Sequence, residues 1–344
     1  MSGRADRPRV LLLCGGRSAE HDVSLASARS LLGETAGRLD WRPQVIDRDG
    51  TWLSAAASAR RLAGEAPTRN DAGAAPVFDP ALLDDVDVVF PLLHGPYGED
   101  GRIQGALDVL GVRYVGSGVH GSAVGMDKPT MKAVFAAAGL PQVAYAGVTR
   151  DAWRRAPSEV DERLDALGWP VFVKPANLGS SIGIARADRR DARAAALSAA
   201  FAYDRRVIVE QAFVDGRELE VAVLGLDEPE VSVVGEIRFA TEFYDYDTKY
   251  TMGRARLDVP ADLPSDVADA CRDLARHAFL AADAAGLARV DLFWSPERDE
   301  LVVNEINTMP GFTATSMYPR LWAASGLPYP DLAARLVDLA LVDR

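Results

Sequence analysis

The sequence predicts an α/β protein whose first third holds a parallel sheet and whose later parts carry antiparallel strands. Three observations lead there. The apolar runs Val10–Cys14 and Val86–Leu93 read as buried strands, and each is followed by a loop and a helical stretch. That rhythm implies parallel strands with helices on the sheet faces. Farther on, Ala288–Trp294 and Leu301–Ile306 are separated only by the turn Ser295–Glu300, which suits an antiparallel pair.

Each element has its own signal. Val23–Leu32 reads as a helix, with apolar residues at Leu25, Ala28, Leu31 and Leu32. The stretch Ser54–Pro80 turns to Ala, Arg, Gly and Pro without a clear period and reads as a helix and surface loop. Ile103–Leu110 reads as a helix. A second unit begins near Ala123, with a helix over Lys128–Gly139 that has Pro129 in its first turn and Gly139 at its end. A strand near Val143, a helix over Asp161–Leu167 and the strands Val171–Val173 and Val207–Gln211 follow. Leu219–Leu226 and Val231–Ile237 look like antiparallel neighbours. A long loop, Phe239–Arg254, precedes a helix over Ser265–Ala285, and Pro310-Gly311 leads to terminal helices.

Composition removes several functional classes. Hydrophobic residues make up 48% and charged residues 26% of the 344, which is globular composition with room for two or three domains. Lys+Arg number 38 against 50 Asp+Glu, a net charge of −12, which disfavours nucleic acid and anionic lipid as partners. A small phosphorylated ligand needs only a few local cations. No stretch is long and apolar enough to span a bilayer, and Val10–Cys14 is too short for a signal peptide, so a cytoplasmic location is expected. Cys14 and Cys271 lie in no metal or redox motif and read as small buried hydrophobes. Only four of the 38 basic residues are lysine: Lys128, Lys132, Lys174 and Lys249. In a chain so biased to arginine, a surviving lysine marks a place where a compact ammonium is needed.

Four constellations carry chemistry. In Arg289-Val290-Asp291 and Glu305-Ile306-Asn307, residues two apart share a strand face. If the strands pair, Arg289, Asp291, Glu305 and Asn307 converge, and the last three offer the hard oxygens that Mg²⁺ takes beside phosphate. The alternative is a cross-strand ion pair on a solvated face. The apolar residues Val290, Leu292, Val302, Val303 and Ile306 argue for burial, where two carboxylates need neutralising. The run Lys174-Pro175-Ala176-Asn177-Leu178-Gly179-Ser180-Ser181-Ile182-Gly183 brings a lysine, glycines and serines to one loop, a combination that suits an anion. It is not a Walker A loop. Loops Gly15–His21 and His94–Gly101 leave strands of the same parallel sheet, so Glu20 and His94 can meet a common ligand at its edge. Phe243–Tyr250 is long, aromatic and charged, in the manner of a lid.

Together these residues resemble a known family. GGRSAEHDVS, HGPYGEDG, MDKPTMK, VKPANLGSSIGI, FYDYDTKY, ARVDLF and NEINTMPGFTATSMYP occur in the order found in D-alanine–D-alanine ligases of the ATP-grasp fold. The resemblance runs from about Val10 to the C-terminus. It implies an N-terminal Rossmann-like, parallel-sheet substrate domain over 1–122. A central ATP-grasp subdomain over 123–212 and a C-terminal one over 213–344 would follow. It also implies ATP and two Mg²⁺ ions, for which Mn²⁺ can substitute, and a homodimer formed through the N-terminal domain. The reaction it implies phosphorylates one D-alanine carboxylate and lets the amine of a second attack, for peptidoglycan precursor synthesis.

The same resemblance implies roles. Lys128 and Lys174 hold the ATP phosphates. Glu210, Gln211 and Phe213 flank the adenine and Glu218 the ribose. Asp291, Glu305 and Asn307 bind the metal ions, and Arg289 stabilises the acyl phosphate and the oxyanion. Glu20 takes the ammonium of the first D-alanine, and His94 lies by its carboxylate. Ser180 links Glu20 to Tyr250, and Lys249 reaches the transferring phosphate. Gly311 and Ser316 hold the second substrate. Lys132, one turn after Lys128, is left to support its helix. Tyr250 favours an amine nucleophile over D-lactate, and Met317 matches housekeeping ligases rather than D-serine-using relatives. The rivals are the same fold with D-lactate or D-serine as second substrate and a non-catalytic nucleotide-binding protein. An NAD-dependent oxidoreductase is disfavoured, since the fingerprint glycines are missing.

Overall fold

Strand β1 (Arg9–Gly15) is buried over all but its first residue, and α1 (His21–Glu34) covers it with Leu25, Ala28 and Leu31. The computed structural model describes residues 7–65, 80–239 and 255–342. β2 (Asp40–Ile46) pairs parallel with one side of β1, and α2 (Ala55–Leu62) follows it. β3 (Val88–Pro91) pairs parallel with the other side, giving the order β2-β1-β3. The expected parallel sheet is there, with a strand the sequence reading lacked. β2 begins Asp-Trp-Arg-Pro and buries only Gln44, Val45 and Ile46. It reads as loop because it is an edge strand, where the missing N–H of Pro43 breaks no ladder.

Helices α3 (Arg102–Val109), α4 (Val119–Met126) and α5 (Lys128–Ala137) come next. The α5 boundaries match its signals: Asp127 accepts from Thr130 N at 3.0 Å, Pro129 sits in the first turn, and Gly139 ends it at φ +73°. β4 (Tyr145–Thr149), α6 (Arg150–Arg155), α7 (Pro157–Asp165), β5 (Val171–Pro175), β6 (Ala185–Ala187), α8 (Arg193–Phe201) and β7 (Arg206–Gln211) form the central unit. Its antiparallel sheet runs β4-β7-β5-β6. The strand expected near Val143 lies two residues later, and the helix expected over Asp161–Leu167 starts earlier, at Pro157. Helices α4, α6 and α8 escape the sequence reading. In α8 the run Arg-Ala-Ala-Ala-Leu-Ser-Ala-Ala-Phe blurs the apolar period with alanine.

The last unit holds β8 (Arg217–Gly225), β9 (Glu230–Phe239), β10 (Ala255–Asp258), α9 (Ser265–Ala281), β11 (Gly286–Ser295) and β12 (Glu300–Asn307), then α10 (Met317–Ala324) and α11 (Tyr329–Leu341). All neighbours in the sheet β10-β9-β8-β11-β12 are antiparallel. The terminal helices return to the first sheet and share its core. Phe90 of β3 meets Phe312 at 5.8 Å between ring centroids, and Phe312 meets Tyr329 of α11 at 5.3 Å. Both cysteines are free and buried.

One residue ties the two ends of the chain together. Met309, just after β12, donates its N–H to Glu99 Oε1 at 3.0 Å and accepts at its carbonyl from His94 Nδ1 at 3.0 Å. Glu99 Oε2 accepts from Gly95 N at 2.6 Å. Burial pushes the Glu99 carboxyl up to about 8, Glu20 adds repulsion, and the two N–H donors oppose it. Unfolded, the group ionises near its ordinary 4.5; folded, it keeps its proton to about 8, so this residue's contribution to stability falls as pH rises between those values. Thermal unfolding of wild type and Glu99→Gln across that range should show a steeper alkaline decline in wild type. Parallel curves would contradict the assignment.

Candidate active site

Two strands build the centre of the site. The register of β11 on β12 puts Arg289 opposite Asn307 and Asp291 opposite Glu305, so the four side chains share one face as the spacing requires. Arg289 donates from Nε and Nη2 to the two oxygens of Asp291 at 2.6 and 2.7 Å. Asn307 Nδ2 donates to Asp291 Oδ2 at 3.0 Å. A register shift follows Asp291 and turns the strand just beyond the cluster. Glu220 on β8, opposite Asp291, stands 3.1 Å from Arg289 Nε and is buried. The sequence reading named Glu218 but not Glu220, although the two alternate onto one face.

The donors suit a hard divalent cation. Asp291 and Glu305 keep side-chain exposures of 15% and 26%, so their oxygens can be reached. No group of three His, Cys, Asp or Glu capable of holding a metal occurs among the described residues. The set is therefore two carboxylates and an amide, whose remaining positions a phosphate would fill.

Lysines gather beside this face. Lys128 opens α5; its Nζ donates to Leu178 O at 2.7 Å and lies 3.8 Å from Glu305 Oε2. Its backbone N–H donates to Ala176 O at 3.0 Å, so the start of α5 holds the Lys174–Gly183 loop at two points. Lys174 on β5 pairs with Glu210 of β7 at 2.5 Å. Lys132 pairs with the other Glu210 oxygen at 3.1 Å. This corrects the reading of Lys132 as a helix support: it is fully buried and its Nζ also reaches Val303 O of β12 at 3.4 Å. Burial alone would raise the Glu210 carboxyl, but Lys132 and Lys174 hold it down at about 2. Burial opposes the charge on Lys174, yet the Glu210 carboxylate pushes its pKa up. For Lys132 burial prevails and pushes it down, against the pull of Glu210.

The third component sits at the edge of the parallel sheet. Glu20 accepts a hydrogen bond from Ser180 Oγ. A Cβ on Gly95 would come 2.6 Å from Glu20 Oε2, and one on Gly179 3.0 Å, so both loops approach this carboxylate because they are glycine there. Ser180 and Ser181 take φ of +52° and +58°, a left-handed turn that costs serine energy and aims Ser180 at Glu20. His94 is buried, and both of its ring nitrogens are engaged within the protein. Nδ1 faces the Met309 carbonyl, so it donates; Nε2 then accepts from Ser27 Oγ at 3.3 Å. Burial lowers the His94 pKa, in keeping with that neutral ring.

The remaining expected residues are spread around this core. Phe213 follows β7 and stacks on Phe293 at 5.4 Å, with the Arg298 guanidinium 4.5 Å from its ring centroid. Gln211 is exposed, and Glu218 lies opposite Phe293 on β8. Ser316 Oγ accepts from Thr313 N at 3.1 Å, and a Cβ on Gly311 would lie 3.2 Å from that oxygen. Met317 is buried in the core, where a Cβ on Gly235 would come 2.9 Å from its sulfur. Lys249, Tyr250 and the rest of 240–254 lie outside the described residues. Glu99 and Glu220 are the charged residues the sequence reading passed over. Glu99 stands inside HGPYGEDG, where its spacing to Gly95 was the available signal.

Comparison with known proteins gives these residues a lineage. The chain matches the D-ala D-ala ligase N-terminus over residues 9–117 and the D-ala D-ala ligase C-terminus over 134–338. It is 50% identical over 338 residues to a D-alanine–D-alanine ligase of Deinococcus radiodurans, spanning 98% of this chain and 99% of that protein. Among solved structures it resembles a D-alanine–D-alanine ligase from Coxiella burnetii. Identity there is 35% and TM-score 0.82, over 98% of this chain and 94% of that one. It also resembles the VanG D-Ala:D-Ser ligase from Enterococcus faecalis, with 31% identity and TM-score 0.84, over 97% and 99%. With a relative so similar over almost its whole length, and both family regions in order, the chain belongs to the D-alanine–D-alanine ligase family.

Proposed function

We propose that the chain joins two D-alanines to D-alanyl-D-alanine, converting ATP to ADP and phosphate, as a step in making peptidoglycan precursors. One observation carries this reading: the β11/β12 face with its arginine, two carboxylates and amide stands beside two lysines, Lys128 and Lys174. That is the equipment for moving a phosphoryl group to a carboxylate. A carboxylate is a poor electrophile. Transfer of the γ-phosphoryl to its oxygen makes that oxygen a leaving group. The amine of the second D-alanine then adds to the carbonyl carbon, loses a proton, and the C–O bond to phosphate breaks.

The residues divide this work by charge. Lys128 and Lys174 would hold the phosphates, while Gln211, Phe213 and the backbone near Glu210 border the base and Glu218 the ribose. Asp291, Glu305 and Asn307 would hold Mg²⁺, which would supply positive charge to neutralise the phosphates. Arg289, held between Asp291 and Glu220, would stabilise the oxyanion. Glu20, held by Ser180, presents a carboxylate to the ammonium of the first D-alanine. Gly311 and Ser316 lie on the loop that would receive the second substrate. The neutral ring of His94 fixes that loop through Met309 and so acts on it from behind. The three separate sheets support a division into three parts.

The second substrate is the open choice within this reading, because the Enterococcus faecalis neighbour is named a D-Ala:D-Ser ligase. Tyr250 in the sequence favours an amine over D-lactate, and Met317 favours D-alanine over D-serine. A coupled ADP-release assay with D-alanine, D-serine and D-lactate tests it; turnover should be highest with D-alanine, and a preference for D-lactate at neutral pH would overturn the choice. Asp291→Asn and Glu305→Gln should each lower ADP release by about a hundredfold or more with little change in melting temperature. Near-normal turnover of either at saturating Mg²⁺ would refute the metal assignment. Chelation should abolish ADP release by the wild type, and added Mg²⁺ should restore it.

A further inference from the structure

Lys132 sits at a place where an apolar residue is the ordinary solution. Its neighbours on the buried face of α5 are Met131 and Phe135, and it is itself fully enclosed. A buried ammonium is costly unless it is paired and hydrogen-bonded. Here it meets both needs at once, with Glu210 Oε1 at 3.1 Å and Val303 O at 3.4 Å. Glu210 sits on β7 of the central sheet, and Val303 on β12 of the last sheet, two residues before Glu305. Lys132 therefore spans two sheets from a third element.

The local charge sum shows what it adds. Glu210 is shared by Lys174 at 2.5 Å and Lys132 at 3.1 Å, so two ammoniums face one carboxylate. Without Lys132 the pair Lys174–Glu210 is closed and neutral. With it, one positive charge is left over on the side where Lys174 would face an anion. Glu218 and Glu305 add negative charge at longer range, which makes that surplus more needed. The segment behind is tied as well: Gln142 Nε2 donates to Lys132 O at 3.0 Å and Val303 N donates to Pro141 O at 2.9 Å.

We propose that Lys132 is a positioning residue for the nucleotide: it offsets Glu210 so that the Lys174 ammonium stays available to the phosphates, and it fixes that lysine relative to the strand bearing Glu305. This rests on the ATP-dependent ligase reading. Lys132 touches no substrate; it acts through Lys174.

The test compares Lys132→Met, which removes the ammonium and keeps the volume, with Lys132→Gln, which removes the charge and keeps a hydrogen-bond donor. Steady-state kinetics give KM for ATP and for D-alanine, and calorimetry gives ADP binding. Each variant should raise KM for ATP by about tenfold and weaken ADP to match, with KM for D-alanine nearly unchanged. A merely structural lysine would lower the melting temperature and leave KM for ATP unchanged, which overturns the proposal. So does a glutamine variant with the wild-type KM for ATP. If Lys132→Met does not fold, Lys132→Gln alone decides by the same margin. Wild type that binds ADP but fails to ligate D-alanine would sink the ligase reading while leaving the comparison of ADP binding in force.

Discussion

Asp291 and Glu305 stand side by side across β11 and β12, and two neighbouring carboxylates in a half-buried site repel each other unless cations surround them. Much of the architecture answers that constraint. Arg289 holds Asp291 from its own strand and is itself held by Glu220 from β8. Lys128 arrives from the start of α5 to face Glu305. A second layer repeats the arrangement, with Glu210 between Lys132 and Lys174. All three lysines among the described residues lie on this strip. An ammonium fits there because each must meet a single carboxylate oxygen from within packed structure, where the wide fork of arginine needs more room.

The site also depends on how its parts are held in place. The parallel sheet offers Glu20 and the His94–Gly101 loop, and the last sheet offers Arg289, Asp291, Glu305 and Asn307. Met309 couples the two through both of its backbone polar groups, and the aromatic cluster of Phe90, Phe312, Tyr318 and Tyr329 fills the space behind. Apolar packing of this kind is insensitive to small shifts in direction; the hydrogen bonds at Met309 set the final position.

Legibility in the sequence followed the range of the signal. β1, β3, β11 and β12 were readable because apolar runs and a short turn are local features. The shared face of Arg289, Asp291, Glu305 and Asn307 followed from alternation alone once the strands were paired. β2 was hidden by Asp40, Arg42 and Pro43, which an edge strand tolerates, and α8 by alanine, which fits a helix without marking a face. Glu220 and the contacts of Lys132 were missed for a different reason. Their partners are distant in the chain; Lys132 and Val303 are 171 residues apart. No periodicity encodes such a meeting. The roles proposed for Glu20, Ser180 and Lys174 come from the ordered motifs, which compress long-range geometry into short strings.

The segment 308–316 is stitched along its backbone. Met309 is pinned at both polar groups, Phe312 N–H reaches Ser27 at 3.3 Å, Ala314 N–H reaches Ser30 at 2.9 Å, and the Phe312 carbonyl takes the Tyr329 hydroxyl at 2.5 Å. Adding or removing a residue here would put every later stitch out of step with α1 and α11. Evolutionary retuning of the proposed acceptor subsite is thereby channelled into exchanging side chains on a backbone of fixed length, and into parts of the protein that carry no such seam.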